Sequence, residues 1–122
     1  IANLINDALK EESIRLNSTI NVYRSYMHSD DMIKWLIKML KNSNKKCPIY
    51  NLGSDKIINL RTLTKKIADS VKKRPNLKKV SSKKFDYYIP SITKAKKELK
   101  LKISINLNDA LNSTIKSLND KN

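Results

Sequence analysis

Apolar residues recur along this chain at spacings of three and four, the period of one helical face. Ile1, Leu4, Ile5 and Leu9 predict a first amphipathic helix to about Lys10. Ser29 reads as an N-cap, with Asp30 and Asp31 at the positive end of the helix that follows. That helix runs to about Lys41 and carries Met32, Ile33, Trp35, Leu36, Ile37, Met39 and Leu40. Apolar side chains cover most of its circumference, while Lys34, Lys38 and Lys41 keep one strip polar. Such a helix needs neighbours on more than one side, more than a chain this short is expected to supply. Asn59 caps a third helix with Leu60, Leu63, Ile67 and Val71 on its buried face, and Pro75 stops it. Ser91 caps a short helix bearing Ile92, Ala95 and Leu99. Asn106 caps the last one, with Leu107, Leu111, Ile115 and Leu118 inward.

Extended segments fall between the helices. Ile14-Arg15-Leu16 alternates as a half-buried strand does, and Val22 to Met27 is aromatic and extended. Ile49-Tyr50-Asn51-Leu52 reads as a short strand ended by Gly53, and Lys102 to Ile105 as a further extended piece. Lys78 to Ile89 is basic and then aromatic, with no clean period. There is no internal repeat and no glycine- or serine-rich linker. The prediction is one mixed α/β domain over 1–122, rich in helix with a few short strands.

Composition narrows the function classes. The longest apolar run, Met32 to Leu40, contains two lysines and is too short to span a bilayer, so no membrane partner is expected. No secretory pattern is visible. Cys47 and His28 are the only residues of their kinds. One thiol makes no internal disulfide, which favours a reducing, cytoplasmic setting, and nothing assembles the ligands of a zinc site. The net charge of +15 attracts anions, but the lysines are spread along the whole chain. A generally basic surface accounts for that spread better than a dedicated nucleic-acid face.

What is missing matters equally. With a single glycine, the chain has neither a Gly-x-Gly-x-x-Gly turn for a dinucleotide nor a Walker phosphate loop. None of its five tyrosines is followed four residues later by lysine. A Ser-His-Asp triad would have to use His28, and no strained elbow surrounds any serine. Asp30 and Asp31 point in different directions as neighbours on a helix, so capping is preferred to an acid/base pair.

The order of segments then resembles a known family. Arg24-Ser25-Tyr26-Met27-His28-Ser29-Asp30-Asp31 is similar to an Arg-Asp-aromatic-x-Tyr-Val-x-Asp run. Ile49-Tyr50-Asn51-Leu52-Gly53-Ser54 is similar to Tyr-Asn-Val-Gly-Ser, and Asn59-Leu60 opens the next helix. Lys94-Ala95-Lys96-Lys97-Glu98-Leu99-Lys100-Leu101 is similar to Lys-Ala-x-x-Glu-Leu-Gly-Trp/Leu, followed by Asn106-Leu107-Asn108-Asp109-Ala110-Leu111. In this order, over residues 4 to 118, they resemble the C-terminal, substrate-binding part of extended short-chain dehydrogenase/reductases. The nearest look is to the NAD-dependent epimerase/dehydratases, with dTDP-glucose 4,6-dehydratase and UDP-glucose 4-epimerase among them.

The resemblance implies a helix-rich C-terminal lobe of a Rossmann-type enzyme. The NAD loop and the Tyr-x-x-x-Lys pair would lie in an N-terminal half outside this chain. The chain is accordingly expected to be a fragment, starting at Ile1 inside a helix, and inactive alone. Its expected partners are that half, a nucleoside-diphosphate sugar, and a second copy in a homodimer. By resemblance Arg24 grips the substrate's diphosphate; read without it, the same arginine would pair with an acidic side chain. Arg15, Leu16 and Asn17 fall on the strand that lines the base, where Leu16 equally suits plain strand packing. Asn59 falls on a substrate-contacting position and also suits helix capping. Lys83 or Lys84 would replace the phosphate-binding arginine of an Arg-Pro-Gly-Asp run. The aspartate after that first arginine and the glycines around Ser18 and Ile20 are replaced here. Two rival readings are a small basic nucleic-acid-binding module and a helical protein-interaction domain.

Overall fold

The computed structural model describes residues 2–120. Among these lie α1 (Ala2–Lys10), β1 (Ser13–Leu16), β2 (Asn21–Ser25), α2 (Ser29–Lys41) and β3 (Ile57–Asn59). They are followed by α3 (Leu60–Ser70), β4 (Arg74–Leu77), β5 (Phe85–Tyr88), α4 (Thr93–Leu99) and α5 (Leu107–Asn119). The fold class is mixed α/β, as the periodicities predicted. The chain separates into two compact units.

The first unit holds residues 2–24, 58–88 and 111–120. β1 and β4 run parallel, with Ile14 beside Pro75 and Leu16 beside Leu77. α1 and α3 pack on this pair and on each other. The inward positions are Leu4, Ile5 and Ala8 from α1, Ile14 and Leu16 from β1, and Leu63, Ile67 and Ala68 from α3, all buried with Leu111 and Ile115 of α5. The carbonyls at the end of α1 lack helical partners, as at any helix C-terminus. Lys73 supplies one, its Nζ donating to Leu9 O at 3.2 Å and to Glu11 O at 2.7 Å. A second sheet has the order β3-β2-β5, with β2 and β5 parallel.

The helical faces were predicted well here, and the strands less well. α3 ends at Ser70, ahead of Pro75, and Lys72 takes a left-handed φ of 55° just beyond it. Pro75 lies inside β4, contrary to its expected role as a helix stop. It is tolerated because β4 has only one strand neighbour. Lys78 N donates to Leu16 O at 3.1 Å, so by the alternation of a strand the position of Pro75 faces away from β1. β5 formed in the stretch where no period could be read; all four of its residues are exposed, which removes the usual in-and-out alternation.

The second unit holds residues 25–57 and 89–110. Its centre is Trp35, 1% exposed, with Ile92 and Ala95. Met27, Met39, Tyr50, Leu52, Leu101 and Ile103 pack around them. The indole Nε1 donates to Lys102 O at 3.1 Å, so the ring is buried without an orphaned donor.

α2 is capped by His28, whose side chain accepts from Asp30 N, which corrects the assignment of Ser29. Asp30 stays exposed in the first turn. Asp31 does more than face the helix dipole. It is buried, and its carboxylate accepts from Ser104 N at 2.9 Å, Ile105 N at 2.9 Å and the Ser104 hydroxyl. Burial alone would raise its pKa. The Ser104 hydroxyl, the two backbone N–H groups and nearby Lys34 outweigh that and hold the carboxyl below its ordinary value. The N–H groups of Ser104 and Ile105 thus go to a side chain rather than to a ladder.

The predicted strand at Ile49 to Leu52 is absent. Tyr50 and Leu52 turn toward the Trp35 cluster while Ile49 is 82% exposed, so the alternation is kept without a partner strand. Gly53 follows at φ 153°, and a Cβ there would sit 2.7 Å from Pro90 Cγ. α4 begins after Ile92, which makes no side-chain cap, so Ser91 does not cap it. The Asn106 side chain does accept from Asp109 N at 3.0 Å, as predicted for α5. α4 is tied to the preceding loops by polar contacts. Lys96 Nζ meets Asp55 Oδ2 at 2.5 Å, lowering the pKa of that carboxyl. The Tyr50 hydroxyl donates to Glu98 at 2.9 Å, which raises the phenol's pKa.

One face of α2 meets none of this. Met32, Ile33, Leu36, Ile37 and Leu40 are exposed, Leu40 by 74%. No helix among the described residues is long and apolar enough to cross a membrane.

Candidate functional site

Every residue singled out from the sequence as a ligand contact falls in the first unit. The second sheet organises several of them. Parallel pairing sets Asn21 beside Phe85, Val22 beside Asp86, Tyr23 beside Tyr87 and Arg24 beside Tyr88. The rings of Tyr23 and Tyr87 lie 6.4 Å apart, tilted by 44°. Arg24 reaches across to β5. Its Nη1 donates to Tyr23 O at 2.8 Å and to Asp86 O at 3.3 Å, and its Nη2 pairs with the Asp86 carboxylate. The Arg24 side chain is 29% exposed and that of Asp86 is 51% exposed, so the pair remains open to solvent.

The opposite end of β2 meets the start of α3. Asn59 Oδ1 accepts from Arg61 N at 2.9 Å, and its Nδ2 donates to Asn21 Oδ1 at 3.2 Å. The helix-capping role predicted for Asn59 is therefore present. Arg61 Nη1 donates to Ser18 O at 3.4 Å and ties α3 to the turn after β1.

The remaining candidates are less gathered. Leu16 is buried in the strand core, which fits the packing reading of that residue. Arg15 is exposed on the other face of β1 and lines a shallow depression of about 220 Å³ with Asp7, Glu11 and Ser13. Two carboxylates in that lining suit a cation better than a phosphate. Asn17 is exposed beside a turn closed by Ser18 Oγ donating to Ile20 O at 2.9 Å. Lys83 and Lys84 are exposed just before β5, and Ser82 Oγ accepts from Lys84 N at 3.1 Å.

Sequence reasoning passed over Asp86 and Arg61. A signal existed for the first: Asp86 is the only carboxylate between Asp69 and Glu98, inside a strongly basic stretch. For Arg61 there was none, because a residue at a helix start gives no hint of reaching back over forty positions. Among the described residues no group of three or more His, Cys, Asp and Glu side chains gathers as a metal site would require. The single glycine packs against Pro90, so these residues offer no glycine-rich cradle for a dinucleotide pyrophosphate.

Residues 1–53 match the model of the NAD dependent epimerase/dehydratase family. Solved structures extend the likeness along nearly the whole chain. UDP-glucose 4-epimerase from Thermotoga maritima, solved with UDP-glucose, matches at TM-score 0.78 and 17% identity, covering 97% of this chain and 38% of that one. dTDP-glucose 4,6-dehydratase from Bacillus anthracis, solved with NAD, matches at TM-score 0.79 and 15% identity over 96% of this chain and 37% of that one. UDP-glucuronic acid 4-epimerase from Bacillus cereus, also with NAD, gives TM-score 0.75 and 19% identity over 98% and 38%. The resemblance read from the ordered motifs is thus present in sequence over residues 1–53 and in fold along nearly the whole chain. The chain spans less than two fifths of the length of these epimerases and this dehydratase. No curated protein matches it.

Proposed function

We propose that residues 1–122 serve as the C-terminal, nucleotide-sugar-binding part of an NAD-dependent sugar-nucleotide epimerase or dehydratase. On this reading the chain is a fragment that binds and orients a nucleoside-diphosphate sugar and does not catalyse by itself. NAD, which would take hydride from the sugar and return it, is assigned to an N-terminal Rossmann half. The exposed stripe of α2 is the kind of surface such a half would cover. The setting proposed is cytoplasmic, and a homodimer of the parent is compatible with the reading.

The observation that carries the proposal is Arg24. It lies in the stretch that matches the family model, on a strand that fixes its guanidinium at the border of solvent. A guanidinium suits a diphosphate because its planar N–H groups meet two phosphate oxygens at once. Asn59, Asn17, Lys83 and Lys84 are secondary candidates, and Arg15 and Leu16 the weakest, given their surroundings.

Calorimetry on the full-length protein tests the assignment. Arg24→Ala should weaken binding of UDP-glucose or dTDP-glucose by roughly ten- to a hundredfold, the worth of a charge-assisted contact, and leave NAD binding intact. Equal loss for both ligands would remove Arg24 from the substrate role.

A further inference from the structure

We infer that Asp86 is a built-in counter-anion for Arg24, one that a diphosphate must displace before it can bind. The inference rests on the anion-binding reading of Arg24 and adds a residue that sets how selective that site is.

The hold on Arg24 includes contacts of two kinds. Nη1 is placed by two backbone carbonyls, Tyr23 O and Asp86 O, which have no dependence on the charge of any side chain. Nη2 is engaged by the Asp86 carboxylate. Loss of the carboxylate contact therefore leaves the guanidinium positioned along β2 and β5. Arg24 is partly exposed and Asp86 half exposed, and ion pairs open to solvent contribute little to stability, so the contact is exchangeable.

Asp86 carries one negative charge and offers few acceptors. A diphosphate brings more charge and more oxygens, and competes well for the same donors. A singly charged anion gains nothing by the exchange. The carboxylate thus admits densely charged anions and rejects weak ones, at a cost in affinity for all of them through like-charge repulsion. No other carboxylate between Asp69 and Glu98 could serve in its place.

The test titrates the 122-residue chain with inorganic pyrophosphate and, separately, with acetate. Binding is read from arginine side-chain N–H resonances, and circular dichroism verifies folding. Asp86→Asn should bind pyrophosphate roughly five- to tenfold more tightly than the original chain and should bind acetate measurably. Asp86→Glu, which keeps the charge, should stay within about twofold of the original. Asp86→Ser stands in if the asparagine variant does not fold. Weaker or unchanged pyrophosphate binding in both charge-removing variants, with the original chain still binding through Arg24, overturns the role of Asp86 alone. Folded chains that bind no pyrophosphate with or without Asp86 overturn the anion reading of Arg24 and this inference with it.

Discussion

In residues 2–24, 58–88 and 111–120, leucine, isoleucine and alanine side chains gather between helices and a parallel strand pair. In residues 25–57 and 89–110, the apolar groups gather around one tryptophan and most of them are only partly buried, with polar contacts beside them. Asp31 holds the segment at Ser104 and Ile105, Lys96 holds Asp55, and Tyr50 holds Glu98. The first unit is centred on fully buried aliphatic side chains; the second is centred on a single tryptophan ringed by partly buried groups. The first also carries every candidate ligand contact. An apolar scaffold of that kind holds exposed polar side chains in place without depending on them.

The sharpest way to break this contrast is Trp35→Ala. Removing the ring should cost about 3–5 kcal/mol, as large-to-small core changes do. Hydrogen exchange should then show protection lost in residues 25–57 and 89–110 before it is lost from α1 and α3. Equal loss across both units would mean that the tryptophan is no special centre.

A smaller effect is expected from Asp31→Asn, about 2 kcal/mol at neutral pH, because the amide cannot replace a charged acceptor of three hydrogen bonds. The sign of its pH dependence follows from the lowered pKa. A carboxyl that is more acidic folded than unfolded stabilises fully above the ordinary carboxylate range. It loses that contribution as pH falls through its folded value. Acid titration of stability should therefore be steeper in the original chain than in the variant. Parallel curves would remove Asp31 from the acid response.

The smallest effect on folding concerns the outward face of α2. Leu40→Lys should change stability by less than about 0.5 kcal/mol, since the side chain is already 74% exposed. The same change should weaken concentration-dependent self-association measured by sedimentation. A strictly monomeric original chain would show that the stripe does not promote association.

Much of this architecture was legible in the order of residues. The helices follow from their apolar periods, and β1 from the alternation around Ile14 and Leu16. The crowded circumference of α2 correctly signalled a face left over after Trp35 and Met39 turn inward. What escaped was what depends on distant partners. β5 has no alternation because all its residues are exposed, and β4 contains a proline that local rules read as a stop. Asp31 looked like a dipole carboxylate because its donors lie more than seventy residues away. The candidate site was legible only in part. Arg24 stood out through the motif around it, whereas its pairing with Asp86 required β2 and β5 to be set side by side.

Pro75 has a consequence for what this chain does in company. Its ring nitrogen, turned outward from β4, leaves a gap in the row of donors that an incoming strand would need. A neighbouring polypeptide cannot zip onto that border as a continuous extension, so the β4 side of the pair is a poor template for cross-β growth. The aromatic border at β5 has no proline among its four residues and is the place to watch when the protein is concentrated.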